Sequence, residues 1–195
     1  MEYAGNKTLK SFIKDRKNEN IEPKILNDII KQICLGLKVI HESNIIHRDI
    51  SPDNILIDEE NLRIKIGNFG MSTISQYSWS PVGKYKYMAP EMQAEEEDEK
   101  KGIRYNKKVD IYALGCVLYK LFTFRNYFDD KFRNKIKKIN LVFYDEKWQY
   151  IIDSMLSLEY HERPSIEEIL NKLDWIIKHY KIYHKKKGKS QLKNL

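Results

Sequence analysis

The residues best able to do chemistry lie in three short strings. His47-Arg48-Asp49-Ile50-Ser51-Pro52-Asp53-Asn54 comes first, Asn68-Phe69-Gly70 follows, and Ala89-Pro90-Glu91 closes the set. An aspartate held in a loop can accept or orient the proton of a reacting hydroxyl. Standing alone, Asp49 would be read as an ordinary surface acid. The carboxamide of Asn68 is a weaker donor to a hard cation than a carboxylate, because its carbonyl offers a dipole and not a full charge. Any one of these strings could arise by chance; three of them in this order and at these separations do not.

The elements that must hold them can be read from periodicity and punctuation. Thr8 is of the type that caps helices and precedes a short stretch predicted to bury Leu9, Phe12 and Ile13. Pro23 suits the first turn of a long helix, whose apolar positions Ile25, Leu26, Ile29, Ile30, Ile33, Leu37 and Ile40 recur at helical spacing. Ile55-Leu56-Ile57 and Leu62-Arg63-Ile64-Lys65-Ile66 flank the polar turn Asp58-Glu59-Glu60-Asn61, a β-hairpin pattern. Residues 72–80 are rich in hydroxyls and lack a period, as a mobile loop does. The run from Lys107 to Phe122 is apolar on most sides and predicts a central helix, and a further helix is predicted over about residues 147–158. Ser165 and Glu168 form a capping box that opens a last helix burying Ile169, Leu170, Leu173 and Ile176. The order predicts a mostly α domain with a small β-hairpin.

The chain of 195 residues suffices for one domain with a real core. Cys34 and Cys116 sit inside apolar helical patterns, which predicts buried thiols in a reducing compartment and a cytoplasmic, or alternatively nuclear, protein. No apolar signal region opens the chain, and the run from Val109 to Phe122 is interrupted by Asp110 and Lys120 and too short to span a bilayer. The net charge of +7 is localised: seven lysines and no acid follow Asp174, and without them the 35 basic residues fall to 28, matching the 28 acids. The plain reading of residues 179–195 is a solvated, flexible basic tail; the alternative is contact with nucleic acid, acidic lipid or an acidic protein.

The three strings resemble the catalytic loop, the D-F-G and the A-P-E of eukaryotic protein kinases. The resemblance covers residues 1–178, with 1–6 resembling the hinge, 47–54 the catalytic loop and 68–91 the activation segment. It implies the C-terminal lobe of the protein-kinase-like fold, and an expectation that the N-terminal lobe, with its Gly-rich loop and lysine, is missing from this chain. By the same resemblance Asp49 is the catalytic base, Arg48 the residue that pairs with an activation-loop phosphate, and Asn54 a magnesium ligand beside Asn68. Glu2, Ala4 and Leu56, with Asn54 and Asn68, would bind ATP, and His47 and Phe69 would join the hydrophobic column between lobes. Asp110 would hold the catalytic-loop backbone, its plain reading being an N-cap, and Glu91 and Arg163 would form an ion pair.

Several residues depart from the family pattern. Asn68 replaces the metal-binding aspartate, Ser51 stands where Ser/Thr-type kinases carry a lysine, and Lys84 stands at their threonine. The plain reading of Lys84 is a solvent-facing lysine; the alternative is that it returns a positive charge beside Asp49. Ser72, Thr73, Ser75, Tyr77, Ser78 and Ser80 are candidate phosphosites, although no second basic residue follows Asn68-Phe69-Gly70 closely. Pro52 is nearer the Ser/Thr type than the tyrosine type. The expected function is ATP-dependent phosphoryl transfer to protein Ser/Thr hydroxyls in family terms, negligible for this chain by itself. The alternatives are a pseudokinase that binds a protein partner, and a nucleic-acid or lipid binding module built on the tail.

Overall fold

Pro23 opens a 20-residue helix because its missing N–H falls where no intrahelical partner exists. That helix and its neighbours appear in a computed structural model that describes residues 7–17, 19, 21–74, 77–78, 82–93, 103–104, 106–132 and 146–191. A two-residue strand, β1 (Lys7–Thr8), leads into α1 (Leu9–Asp15), which Thr8 caps by accepting from the Ser11 amide. Helix α2 (Pro23–Glu42) buries Leu26, Ile29, Ile30, Ile33, Leu37 and Ile40, the stripe that its period predicts.

The hairpin forms as β2 (Ile55–Asp58) and β3 (Arg63–Ile66), with Ile55 opposite Ile66 and Ile57 opposite Ile64. It is wider than the sequence suggests, since β1 adds a third antiparallel strand beside β2. Two-residue strands carry too little pattern to be read in advance. Gln32 of α2 pins the hairpin, donating to the Leu62 carbonyl at 2.7 Å and accepting from the Ile64 amide at 3.0 Å.

Residues 72–80 are less loop-like than their composition predicts, where they are described. Thr73 exchanges backbone hydrogen bonds with Ile46, and β4 (Tyr77–Ser78) pairs with β5 (Ile103–Arg104). Between them lies the short α3 (Pro90–Gln93). Ser75, Ser80 and the acidic cluster at 95–99 lie outside the described residues.

Helix α4 (Lys108–Thr123) runs through the centre, buried at almost every position. Gly115 is required there: a Cβ would stand 3.0 Å from Met155 Cβ and 3.1 Å from Leu156. Those residues close α6 (Lys147–Met155), which follows α5 (Tyr127–Phe132); α6 is shorter than expected because the chain leaves the helix at Leu156. Ser165 and Glu168 complete the capping box, at 3.2 Å and 2.6 Å, ahead of α7 (Ile166–Gln191). Where composition suggests a flexible tail from residue 179, the structure continues α7 as helical backbone to Gln191.

Both cysteines are free and buried, and burial alone pushes the Cys34 thiol up to about 12. No described helix is long and apolar enough to cross a membrane. The result is a mostly helical domain with a small three-stranded antiparallel sheet.

Candidate active site at the Asp49 loop

Asp110 is the centre from which the loop is built. It lies in the first turn of α4, fully buried, and does not cap that helix: the N-cap position is Lys107. Its Oδ2 accepts from the His47 amide at 2.9 Å and from His41 Nε2 at 2.9 Å, while Oδ1 accepts from the Arg48 amide at 2.8 Å. A buried carboxylate is tolerated because each oxygen is satisfied. The cost of a left-handed backbone at Arg48, φ 67°, is carried by the same contacts.

His47 is fully buried, and its ring nitrogens have distinct partners. Nδ1 accepts from the Asp49 amide at 3.3 Å, so Nε2 carries the hydrogen and donates to the Gly67 carbonyl at 3.0 Å. The ring lies 5.1 Å from that of Phe69. Arg48 donates through Nε to the Met71 carbonyl, which ties the loop to the residues after Asn68.

Asp49 follows, 8% exposed. Asn54 Nδ2 donates to its carbonyl at 2.7 Å and to its Oδ2 at 2.6 Å. Lys84 reaches the same carboxylate twice: its amide donates to Oδ1 at 3.2 Å and its ammonium to Oδ2 at 3.4 Å. That ammonium also donates to Ser51 Oγ at 3.1 Å. The structure thus brings Asp49, Ser51, Asn54 and Lys84 into one cluster, and Lys84 is not solely solvent-facing.

The other side of the cluster is built differently. Asn68, in the left-handed region that asparagine tolerates, donates from Nδ2 to Asn54 Oδ1 at 3.1 Å. The Gly67 amide donates to the Asn54 carbonyl at 2.8 Å, and Leu56 of β2 stands beside Gly67. Glu2 and Ala4 lie outside the described residues.

A magnesium ion asks for anionic oxygens in tight octahedral geometry. Here the Asn54 carboxamide oxygen already faces an N–H, and the neighbouring Asp49 is engaged by Asn54 and Lys84. No group of three His, Cys, Asp or Glu able to hold a metal occurs among the described residues. The residues present do not fit a magnesium site.

The far end of the stretch from Asn68 to Glu91 is anchored by the pair of Glu91 and Arg163. Arg163 is 1% exposed, and all five of its N–H groups are used. Two meet the Glu91 carboxylate at 2.7 and 2.8 Å, and the others meet the carbonyls of Ser157, Lys108 and Leu158. Lys108 returns a hydrogen bond to the Arg163 carbonyl, and burial holds its ammonium below the ordinary lysine range.

Sequence reasoning passes over Gly83, although a glycine directly before Lys84 is the available signal. Its φ is 98°, and a Cβ would stand 2.3 Å from the Arg48 carbonyl oxygen. We expect Gly83→Ala to cost about 1–3 kcal/mol from the forced backbone alone. Thermal unfolding measures that loss, and faster exchange of the Lys84 amide should accompany it.

The family model described as protein kinase domain matches residues 1–176. The chain is 33% identical over 181 residues to the serine/threonine-protein kinase Nek8 of Danio rerio, covering 87% of this chain and 25% of that protein. It is 32% identical over 187 residues to the interferon-induced, double-stranded RNA-activated protein kinase of Rattus norvegicus, covering 90% and 34%. Against the serine/threonine-protein kinase Nek3 of Mus musculus it is 33% identical over 183 residues, covering 87% and 34%. The chain spans about a quarter to a third of the length of these relatives.

Proposed function

The chain belongs to the eukaryotic protein kinase family, and on that premise we propose a Ser/Thr-type domain with a complete acceptor side and a crippled metal side. The observation that carries this reading is the asymmetry around Asn54. Its Nδ2 holds the Asp49 carboxylate at 2.6 Å, while its Oδ1 is turned to Asn68 and not to an open metal position.

On the acceptor side Asp49 would orient the hydroxyl of a protein serine or threonine and take its proton as its oxygen bonds the γ-phosphorus of ATP and the bridging oxygen leaves with ADP. Asp110 keeps the loop in shape for this by holding two consecutive amides. ATP and magnesium are the family's cosubstrate and cofactor. On the metal side, a lost unit charge at short range and an effective dielectric near 20 is worth up to about 4 kcal/mol. That corresponds to roughly a thousandfold in rate. Phosphoryl transfer by this chain is therefore negligible in our reading.

The test pairs two measurements on the purified chain. Transfer from ATP to a generic basic protein should be indistinguishable between wild type and Asp49→Asn. Manganese titration followed by electron paramagnetic resonance should show Asn68→Asp binding more tightly than wild type, by up to about a thousandfold. Transfer abolished by Asp49→Asn would overturn the first part; an unchanged manganese affinity would overturn the second.

A second reading, a pseudokinase working through a protein partner, is favoured by the hydrogen bond between Asn68 and Asn54, which closes the metal side without an ion. Retained partner binding in Asp49→Asn would support it.

A further inference from the structure

The stretch from Val82 to Gln93 could be expected to need an outside anchor. Its middle, Tyr85–Tyr87, is a single 3-10 turn with Tyr85 and Lys86 exposed. Yet its first residues approach the catalytic loop as closely as backbone allows, since at Gly83 there is no room for a Cβ against the Arg48 carbonyl. At that point Lys84 contributes a main-chain N–H and an ammonium to opposite oxygens of one carboxylate, 3.2 and 3.4 Å away. The ammonium is shared with Ser51 Oγ at 3.1 Å, and Ser51 is fully buried. The far end is held by the Glu91–Arg163 pair.

We propose that Lys84 is a charged clamp that docks the activation segment on the catalytic loop without phosphorylation, holding the Asp49 carboxylate in place as it does so. The inference rests on the site described above, but not on that site's turnover. The chemistry is local. One ammonium meets the Asp49 carboxylate that Asn54 holds from the loop side, and Ser51 accepts a further N–H from it. Arg48, the other cation nearby, donates to the Met71 carbonyl, so it also ties the segment through a neutral acceptor that needs no phosphate. Lys84 is in this sense a positioning residue: it acts on substrate chemistry only through Asp49.

The pair is partly open to water, with the lysine side chain 39% exposed and the aspartate 8%. Screening therefore limits its contribution to global stability. Its signature should be local protection in the segment, not a large shift in melting. The probes are the amides of Lys84, Tyr87 and Met88, each of which donates a hydrogen bond in or next to the clamp.

The experiment is amide hydrogen exchange on the full chain after phosphatase treatment, comparing wild type with Lys84→Arg, Lys84→Met and Lys86→Ala. We expect the three amides to be protected in dephosphorylated wild type. Lys84→Met should speed their exchange tenfold or more, and Lys84→Arg should stay within about threefold of wild type. Lys86, whose ammonium pairs with Asp129 at 2.8 Å, is the control, and its loss should leave the Lys84 amide unchanged. Amides in α4 should not change in any variant, which separates unclamping from general unfolding. Protection that disappears on phosphatase treatment, or a Lys84→Met variant that exchanges like wild type, would sink the proposal. So would a Lys84→Arg variant as loose as Lys84→Met, since charge would then not be what holds. None of these readouts uses ATP, so a failure here is distinct from a failure of the phosphotransfer reading.

Discussion

Replacing Arg163 with alanine is expected to destabilise the domain by about 3–5 kcal/mol, the cost typical of removing one partner of a buried ion pair. For a chain of this size each kcal/mol moves the melting midpoint by about 2–4 °C, so a fall of roughly 6–20 °C is expected in a circular-dichroism melt. The reason is the number of groups that lose a partner at once. Glu91 is left as an unpaired carboxylate, the carbonyls of Ser157 and Leu158 lose the guanidinium, and the Lys108 carbonyl keeps only its helix partner. The guanidinium also stands 5.0 Å from the centre of the Tyr112 ring, so packing is lost with the charge. Buried ion pairs can often be exchanged for apolar residues at little cost. That exchange should fail here, because Arg163→Met combined with Glu91→Leu still takes the guanidinium from the Ser157 and Leu158 carbonyls. A double variant as stable as wild type would contradict this account.

The second large effect is expected at Asp110. Asp110→Asn preserves shape but turns one acceptor into a donor, at a site where backbone N–H groups approach both oxygens. A carboxamide oxygen can serve the His47 amide or the Arg48 amide, not both. His41 can adjust by presenting an acceptor nitrogen, so the loss falls on the backbone. Leaving a buried donor unsatisfied, together with losing a charge-assisted bond, costs about 3 kcal/mol. Part of that loss should surface as loosening of the loop, since residue 48 keeps its left-handed backbone only while both amides are held. Hydrogen exchange at His47 and Arg48 should rise well above that of the α4 amides. Equal protection in variant and wild type would show that the loop holds itself.

Much of the scaffold was legible in the residues because its determinants are local. The three-and-four spacing from Ile25 to Ile40 needs only a helix and a core to bury it. Thr8, Pro23 and the Ser165–Glu168 box act within one turn of their own position, and the hairpin is specified by two β-branched runs around a polar turn. The strings around Asp49, Asn68 and Glu91 also identified the family before any geometry, since order and separation are properties of the chain.

Other features could not be read that way. Strand β1 exists because Lys7 and Thr8 find β2 some 50 positions along, and two residues carry no pattern of their own. Tyr77–Ser78 pairs with Ile103–Arg104 for the same reason, and composition there signals only a hydroxyl-rich loop. Gly83 announces a turn in sequence, but only the approach of the Arg48 carbonyl shows why nothing larger fits.

Residue types and spacing determined a mostly helical domain with a small sheet and, through the three strings, membership of the protein kinase family. Tertiary structure decided that Lys84 answers Asp49 and Ser51, that Asn68 closes onto Asn54, and that Asp110, of its two readings, binds the loop and does not cap its own helix. Those contacts join positions from 14 to 63 residues apart, and a hydrogen bond acts over a few ångströms of space whatever the distance along the chain.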